Sequence, residues 1–218
     1  KPDPLFPDEL DAQRFDQQMC WISSWFNVLP LDQAIERLSS QSLPERAAAI
    51  TFDDGYADNY TIALPILQKH GLSATFFIAT GFIDGGRMWN DTIIESIRHC
   101  PKTTIDLSAL NLGCHCIASS EQKRSAIQTI IGQTKYLPLA ERVERTAHIA
   151  EVSEMPIIND LMMTSAQVQA LRDTGMQIGA HTVSHPILAR INLETARDEI
   201  AANKEMLEYL LKEKIRTF

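Results

Sequence analysis

No apolar run in this 218-residue chain approaches the roughly 20 residues needed to cross a bilayer. Lys1-Pro2-Asp3-Pro4 also lacks the basic and then apolar order of a signal peptide. A soluble chain is expected, with the compartment, bacterial cytoplasm or cell envelope, left open. Basic residues are in short supply: 20 Lys and Arg face 28 Asp and Glu, for a formal net charge of -8. Nucleic acid, whose phosphates demand a basic face, is thereby excluded as the expected partner, and a neutral or cationic one suits better. Cysteine is sparse too. Cys20, Cys100, Cys114 and Cys116 are too few and too irregularly spaced for a disulfide framework. Cys114-His115-Cys116 brings soft donors together, but structural zinc sites favour at least two residues between paired cysteines, so free thiols are expected.

At 44% hydrophobic residues the chain can build one domain with a sizeable core over 1–218. The stretch Ala49-Ile50-Thr51-Phe52-Asp53-Asp54-Gly55-Tyr56 breaks from an apolar run into two adjacent carboxylates and a glycine. It reads as a buried strand delivering charge at its carboxyl end. Neighbouring acids leaving a strand point different ways, so one can bind a metal while the other stays free as a base. Nitrogen ligands to match appear in His181-Thr182-Val183-Ser184-His185, just after the strand-like run from Met176 to Ala180.

Around these two stretches the elements alternate. Pro2, Pro4 and Pro7 predict an extended start, and a helix follows from about Asp11 with Phe15, Met19, Ile22 and Phe26 on one face. Leu31 to Ser40 reads as a second helix, with Ala34, Ile35 and Leu38 inward. Ala47 to Phe52 is a strand, Pro65 opens a helix to about His70, Gly71 stops it, and Ser73 to Thr80 is the next strand. Strand, helix and strand in some thirty residues make a right-handed parallel crossover, whose ligands gather beyond the carboxyl ends of the strands. Trp89, on the loop after Gly85-Gly86, is a weak candidate for stacking on a sugar ring.

From about 91 to 160 the pattern is mostly helical and reads as an insertion. Asp91 caps a helix to His99, Ser119 with Gln122 forms a capping box, Pro138 opens a further helix, and a hairpin intervenes near Thr103 to Gly113. His99, His115 and His148 stand isolated there, as solvent-facing or hydrogen-bonded residues. Thr164 with Gln167 is another capping box, ahead of a helix ending at Gly175. A long helix then runs from about Asn192 to Lys214 with Leu193, Ala196, Ile200, Leu207 and Leu211 buried, and Ile215 to Phe218 resembles the start of a strand.

In a helical turn, His181 and His185 would converge on one ion, and Asp54 would add an oxygen, leaving a position for water. Zn²⁺ suits this set, but two imidazoles and a carboxylate also match non-haem iron, so spacing alone does not choose the metal. Asp53, unliganded, would take a proton from water. Mg²⁺-assisted phosphoryl transfer is disfavoured, because it needs acidic partners and a phosphate clamp.

At these residues the chain resembles the polysaccharide deacetylase family, also called the NodB-homology or carbohydrate esterase four family. Thr51-Phe52-Asp53-Asp54-Gly55 looks like its first motif and His181-Thr182-Val183-Ser184-His185 like its second. The resemblance implies an α/β fold, an irregular (β/α) barrel, and a metal-dependent hydrolase that removes N-acetyl groups from acetylated sugars in a polymer or oligomer. It implies Asp53 as general base, Asp54, His181 and His185 as metal ligands, Thr182 as hydrogen-bonding support, and a divalent cation, Zn²⁺ first with Co²⁺, Ni²⁺ and Fe²⁺ open. The family's later motifs, carrying an arginine, an oxyanion donor, a tryptophan and a histidine acid, would lie beyond Phe218, and an early strand is missing. The segment is therefore expected to be truncated at both ends, to bind metal, and to deacetylate poorly alone. A non-catalytic carbohydrate-binding protein and a hydrolase of cyclic amides or ureides are the alternatives.

Overall fold

The computed structural model describes residues 3–154 and 159–218, so the expectations resting on Pro2 and on residues 155–158 lie outside it. The chain partitions into two compact units, Ala12–Gly86 with Asn159–Phe218, and Lys1–Asp11 with Arg87–Ile158. Both candidate motifs fall in the first.

That unit begins with α1 (Ala12–Trp25), β1 (Asn27–Val28) and α2 (Leu31–Ser39). The stretch 47–52, expected as one strand, is two: β2 (Ala47–Ala48) pairs parallel with β1, and β3 (Thr51–Phe52) belongs to another sheet. The chain changes ladder partner between them, and the Ile50 carbonyl already accepts from the Thr75 N–H at 2.9 Å. A π-helical turn (Asn59–Ala63) leads into α3 (Leu64–Lys69), with Pro65 in its first turn and Gly71 beyond its end at φ +64. Then comes β4 (Thr75–Ile78).

β4 is the centre of a three-stranded parallel sheet, flanked by β3 and by β7 (Gln177–Ala180). Its sequence, Thr-Phe-Phe-Ile, suits a strand buried on both faces. Phe76 and Ile78 are fully buried, and Phe52 stacks on Phe76 at 4.7 Å between ring centroids while Phe15 meets Phe52 edge-on at 5.9 Å. Burying a side chain such as Phe76 contributes about 1.5–3 kcal/mol, which fixes the strand whose end carries the site. Among the described residues these strands and the two-stranded ladders form no closed barrel; the fold is mixed α/β.

The unit closes with α7 (Ser165–Asp173) and α8 (Leu193–Leu211), which flank β7 in the chain. The Thr164 and Gln167 capping box forms as expected, and Val168 and Leu171 are fully buried. The Ala180 N–H donates to the Thr217 carbonyl at 2.9 Å, so the final residues run beside β7 without being a strand themselves. Four expected core positions are not core. Leu193 is 73% exposed at the first turn of α8, ahead of the buried face, while Ile35 and Leu38 stay exposed on α2, which has no buried residue. Phe26, at 44% exposure, lies past the end of α1, where the helical stripe no longer governs its direction.

The second unit holds α4 (Trp89–His99), a hairpin of β5 (Thr104–Asp106) and β6 (Cys114–Cys116), α5 (Ser120–Thr134) and α6 (Leu139–Val152). The Ser119 and Gln122 capping box is present. Asp91 is not the cap of α4: Met88 occupies that place, and Asp91 lies buried in the first turn. Ile93, Ile97, Ile105, Ile117, Ile130 and Ile149 make this unit's own core. Each isolated histidine here has an ordinary partner: Glu95 for His99, the Leu112 carbonyl for His115 and Glu151 for His148. Cys114 and Cys116 are exposed on β6.

Candidate metal centre

Phe52 is the last residue of β3, and the backbone then turns sharply. The Gly55 N–H donates to the Asp53 carbonyl at 2.9 Å across Asp54, whose φ is +75. A three-residue turn of this hand is rare and strained, at about 1–3 kcal/mol for a residue held so far from its preferred region. It is held by neighbours: the Asp54 carbonyl accepts from the Ala79 N–H at 3.1 Å, and the Gly55 carbonyl from the Met163 N–H at 2.9 Å. Gly55, at φ +94, lies so close to Ile78 that a Cβ would meet its Cγ2 at 3.3 Å. The consequence is a divergence of the paired acids, with Asp54 half-buried and Asp53 exposed.

The histidine stretch follows β7, but it is not helical, contrary to the geometry expected from the spacing of four. Thr182 at φ +63 and His185 at φ +50 break the helix, and an irregular turn brings the two rings together instead, 5.0 Å apart between centroids. The turn is laced to the end of β4. The Thr80 N–H donates to the Thr182 carbonyl at 3.3 Å and the Gly81 N–H to the Val183 carbonyl at 2.9 Å. The Thr182 hydroxyl donates to the His181 carbonyl.

Asp54, His181 and His185 meet at one point. Nε2 of each histidine lies 3.2 Å from Asp54 Oδ1, and all three ligand atoms fall within 4.8 Å of one another. This is the one group of three or more such side chains, among the described residues, able to share a metal ion. Ligands held about 2.0–2.2 Å from a tetrahedral cation stand roughly 3.3–3.6 Å apart, close to the spacing here, so the donor set fits one divalent ion of the kind imidazole and carboxylate favour. Asp53 remains outside this cluster. Trp89 belongs to the other unit, where it opens α4 and carries the Arg142 guanidinium over its ring at 4.9 Å from the centroid.

Two site residues went unread in the sequence, Glu199 and Asn203 on α8. The Glu199 carboxylate accepts from the Val183 and Ser184 N–H groups, each at 2.8 Å, and the Asn203 side-chain oxygen accepts from the His181 N–H at 3.0 Å. A signal existed: Asn203 interrupts the apolar stripe of Ile200, Leu207 and Leu211, and it is fully buried.

Gly81 is a sensitive point of the lacing. A Cβ there would stand 2.5 Å from the Val183 carbonyl oxygen, which is backbone and cannot swing aside. Gly81→Ala is expected to destabilise the fold by about 1–3 kcal/mol, the usual range for overpacking, and to displace the histidine turn. A lowered denaturation midpoint together with weakened metal binding checks this.

The profile of the polysaccharide deacetylase family matches residues 40–109 and 116–218. YxkH, a Bacillus subtilis (strain 168) protein named as a polysaccharide deacetylase, is 34% identical over 68 residues, 30% of this chain and 24% of that protein. Among solved structures, the Streptococcus pyogenes deacetylase PplD in complex with acetate aligns with a TM-score of 0.58 at 19% identity, over 94% of this chain and 60% of that one. IcaB from Ammonifex degensii aligns with a TM-score of 0.56 at 16% identity, over 95% of this chain and 64% of that one. The chain thus spans less than two thirds of each of these relatives, and the structural likeness is one of fold.

Proposed function

Because the chain belongs to the polysaccharide deacetylase family, we propose that its Asp54, His181 and His185 hold a divalent cation, Zn²⁺ first, in a hydrolase that removes N-acetyl groups from acetylated sugars of a polymer or oligomer. The observation that carries this reading is the convergence of both imidazole Nε2 atoms on Asp54 Oδ1, from turns 127 residues apart in sequence. A cation bound there supplies Lewis acidity, drawing electron density from the acetyl carbonyl and making water a better acid. The protein's own groups do the rest. Asp53, next in sequence yet outside the cluster, accepts the proton from the attacking water as its oxygen bonds to the acetyl carbon. The carbon–nitrogen bond breaks as the sugar nitrogen takes up a proton, matching the one Asp53 removed from water, and acetate and an amino sugar are left. The strained turn at Asp54 keeps the two carboxylates on separate tasks, and Thr182 ties down the His181 backbone.

The Asp and His composition supports a metal of the Zn²⁺, Co²⁺, Ni²⁺ or Fe²⁺ series over Mg²⁺, which prefers oxygen ligands. An extended acetylated glycan suits an acidic chain better than a polyphosphate would. No helix among the described residues is long and apolar enough to cross a membrane.

The test is acetate release from N-acetylated oligosaccharides by the gene product that carries this chain, before and after chelation. Release that chelator abolishes and Zn²⁺ restores is expected. Glycan binding with no acetate release under any metal would instead favour a carbohydrate-binding protein, and release only from cyclic amides or ureides would reassign the substrate.

A further inference from the structure

We propose that Glu199 and Asn203 are positioning residues which set the pose of the histidine turn, and thereby the affinity and coordination of the cation. The inference rests on the metal reading above and extends it to two residues that touch no proposed ligand ring.

The turn has reason to need outside support. Thr182 and His185 both sit at positive φ, where a side chain is disfavoured, and the segment from His181 to Ile187 has no helix or strand ladder to hold it. The His181, Val183 and Ser184 N–H groups are satisfied by α8 instead. Glu199 Oε2 accepts from the Val183 and Ser184 N–H groups at 2.8 Å each, and Oε1 accepts from the Ser184 hydroxyl at 2.5 Å. One carboxylate thus bridges two consecutive peptide groups between the histidines, and bonds to an ionised acceptor are stronger than neutral ones.

Four residues on, and so on the same face of the helix, Asn203 does the complementary work. Its oxygen accepts from the His181 N–H at 3.0 Å. Its amide nitrogen donates to the Ile78 carbonyl and the Thr80 hydroxyl oxygen, both at 2.9 Å, and to the Thr182 carbonyl. A primary amide offers an acceptor oxygen on one side and two N–H donors on the other, and the fully buried site gives any unpaired group no water to turn to. Asn203 therefore joins the end of β4 to the first residues of the histidine turn, while Glu199 fixes the next two. Asp54 is registered to the same end of β4 through the Ala79 N–H. The distance between the carboxylate and the imidazoles then depends on this pair of α8 side chains.

Chelator-competition titration with Zn²⁺, the absorption spectrum of the Co²⁺ form and the thermal midpoint of the metal-free protein separate the possibilities. They compare wild type, Glu199→Ala, Glu199→Asp, Asp54→Ala and, as a control on the same helix, Glu205→Ala. Glu199→Ala is expected to weaken Zn²⁺ binding by roughly 10–100-fold, the usual effect of removing a group that orients ligands, and to change the Co²⁺ spectrum. Glu199→Asp keeps the charge but retracts it by one methylene, and should weaken binding several-fold even if the alanine variant fails to fold. Glu205→Ala should match wild type. A Glu199→Asp protein with wild-type affinity and spectrum, measured beside an Asp54→Ala protein that has lost binding, overturns the inference and leaves the metal reading standing. A wild-type protein that binds no cation overturns the metal reading, and this inference with it.

Discussion

Asp54→Ala is expected to cost the protein most of its metal affinity, by about 10²–10³-fold. The estimate follows from taking one ligand's share, roughly a quarter, of the ~10–16 kcal/mol by which structural sites hold Zn²⁺. Asp54 is the shared partner of both imidazoles, each 3.2 Å from its Oδ1, so its loss removes the only oxygen of the set. The substitution leaves the turn at φ +75 strained, because alanine also carries a Cβ there. The fold should survive, since Asp54 belongs to neither the sheet nor the buried core. Titration with Zn²⁺ under chelator competition, with circular dichroism to confirm folding, measures the effect. Unchanged affinity in a folded Asp54→Ala protein would count against this ligand set.

Asp53→Asn should behave in the opposite manner. The amide keeps the shape of the exposed side chain but is no longer a base, so acetate release by the gene product should fall by about 10²–10⁴-fold while Zn²⁺ affinity stays at the wild-type value. The backbone role of Asp53, its carbonyl accepting from the Gly55 N–H at 2.9 Å, is untouched by the change. Two adjacent aspartates, one substitution weakening metal binding and the other only slowing turnover, would separate the ligand from the base. If Asp53→Asn lowered metal affinity as much as Asp54→Ala, the division of labour between them would be wrong.

The sequence made this pair of motifs legible because charge placed abruptly after an apolar run has few structural uses. The β4 strand and the capping boxes at Ser119 and Thr164 were equally readable, since each is a local pattern with a local cause. The geometry of the histidine turn was not. A spacing of four suggests a helical turn, yet Thr182 and His185 stand at positive φ and the residues from His181 to Ser184 bond to Glu199 and Asn203 instead, and no local rule anticipates that. Asn203 shows what such positions look like beforehand: a polar residue at the place where the stripe of Ile200, Leu207 and Leu211 calls for an apolar one. The split of 47–52 between two ladders was hidden for a similar reason, because pairing partners lie elsewhere in the chain. Amphipathic spacing overstated burial on α2, where Ile35 and Leu38 remain in solvent.

The most direct measurement is anomalous diffraction at the zinc edge from a crystal of this chain grown with Zn²⁺. The account predicts a single strong peak about 2.0–2.2 Å from Asp54 Oδ1 and from Nε2 of both His181 and His185, with Asp53 outside bonding distance. A peak bound elsewhere, or none between these three side chains at saturating Zn²⁺, would contradict it.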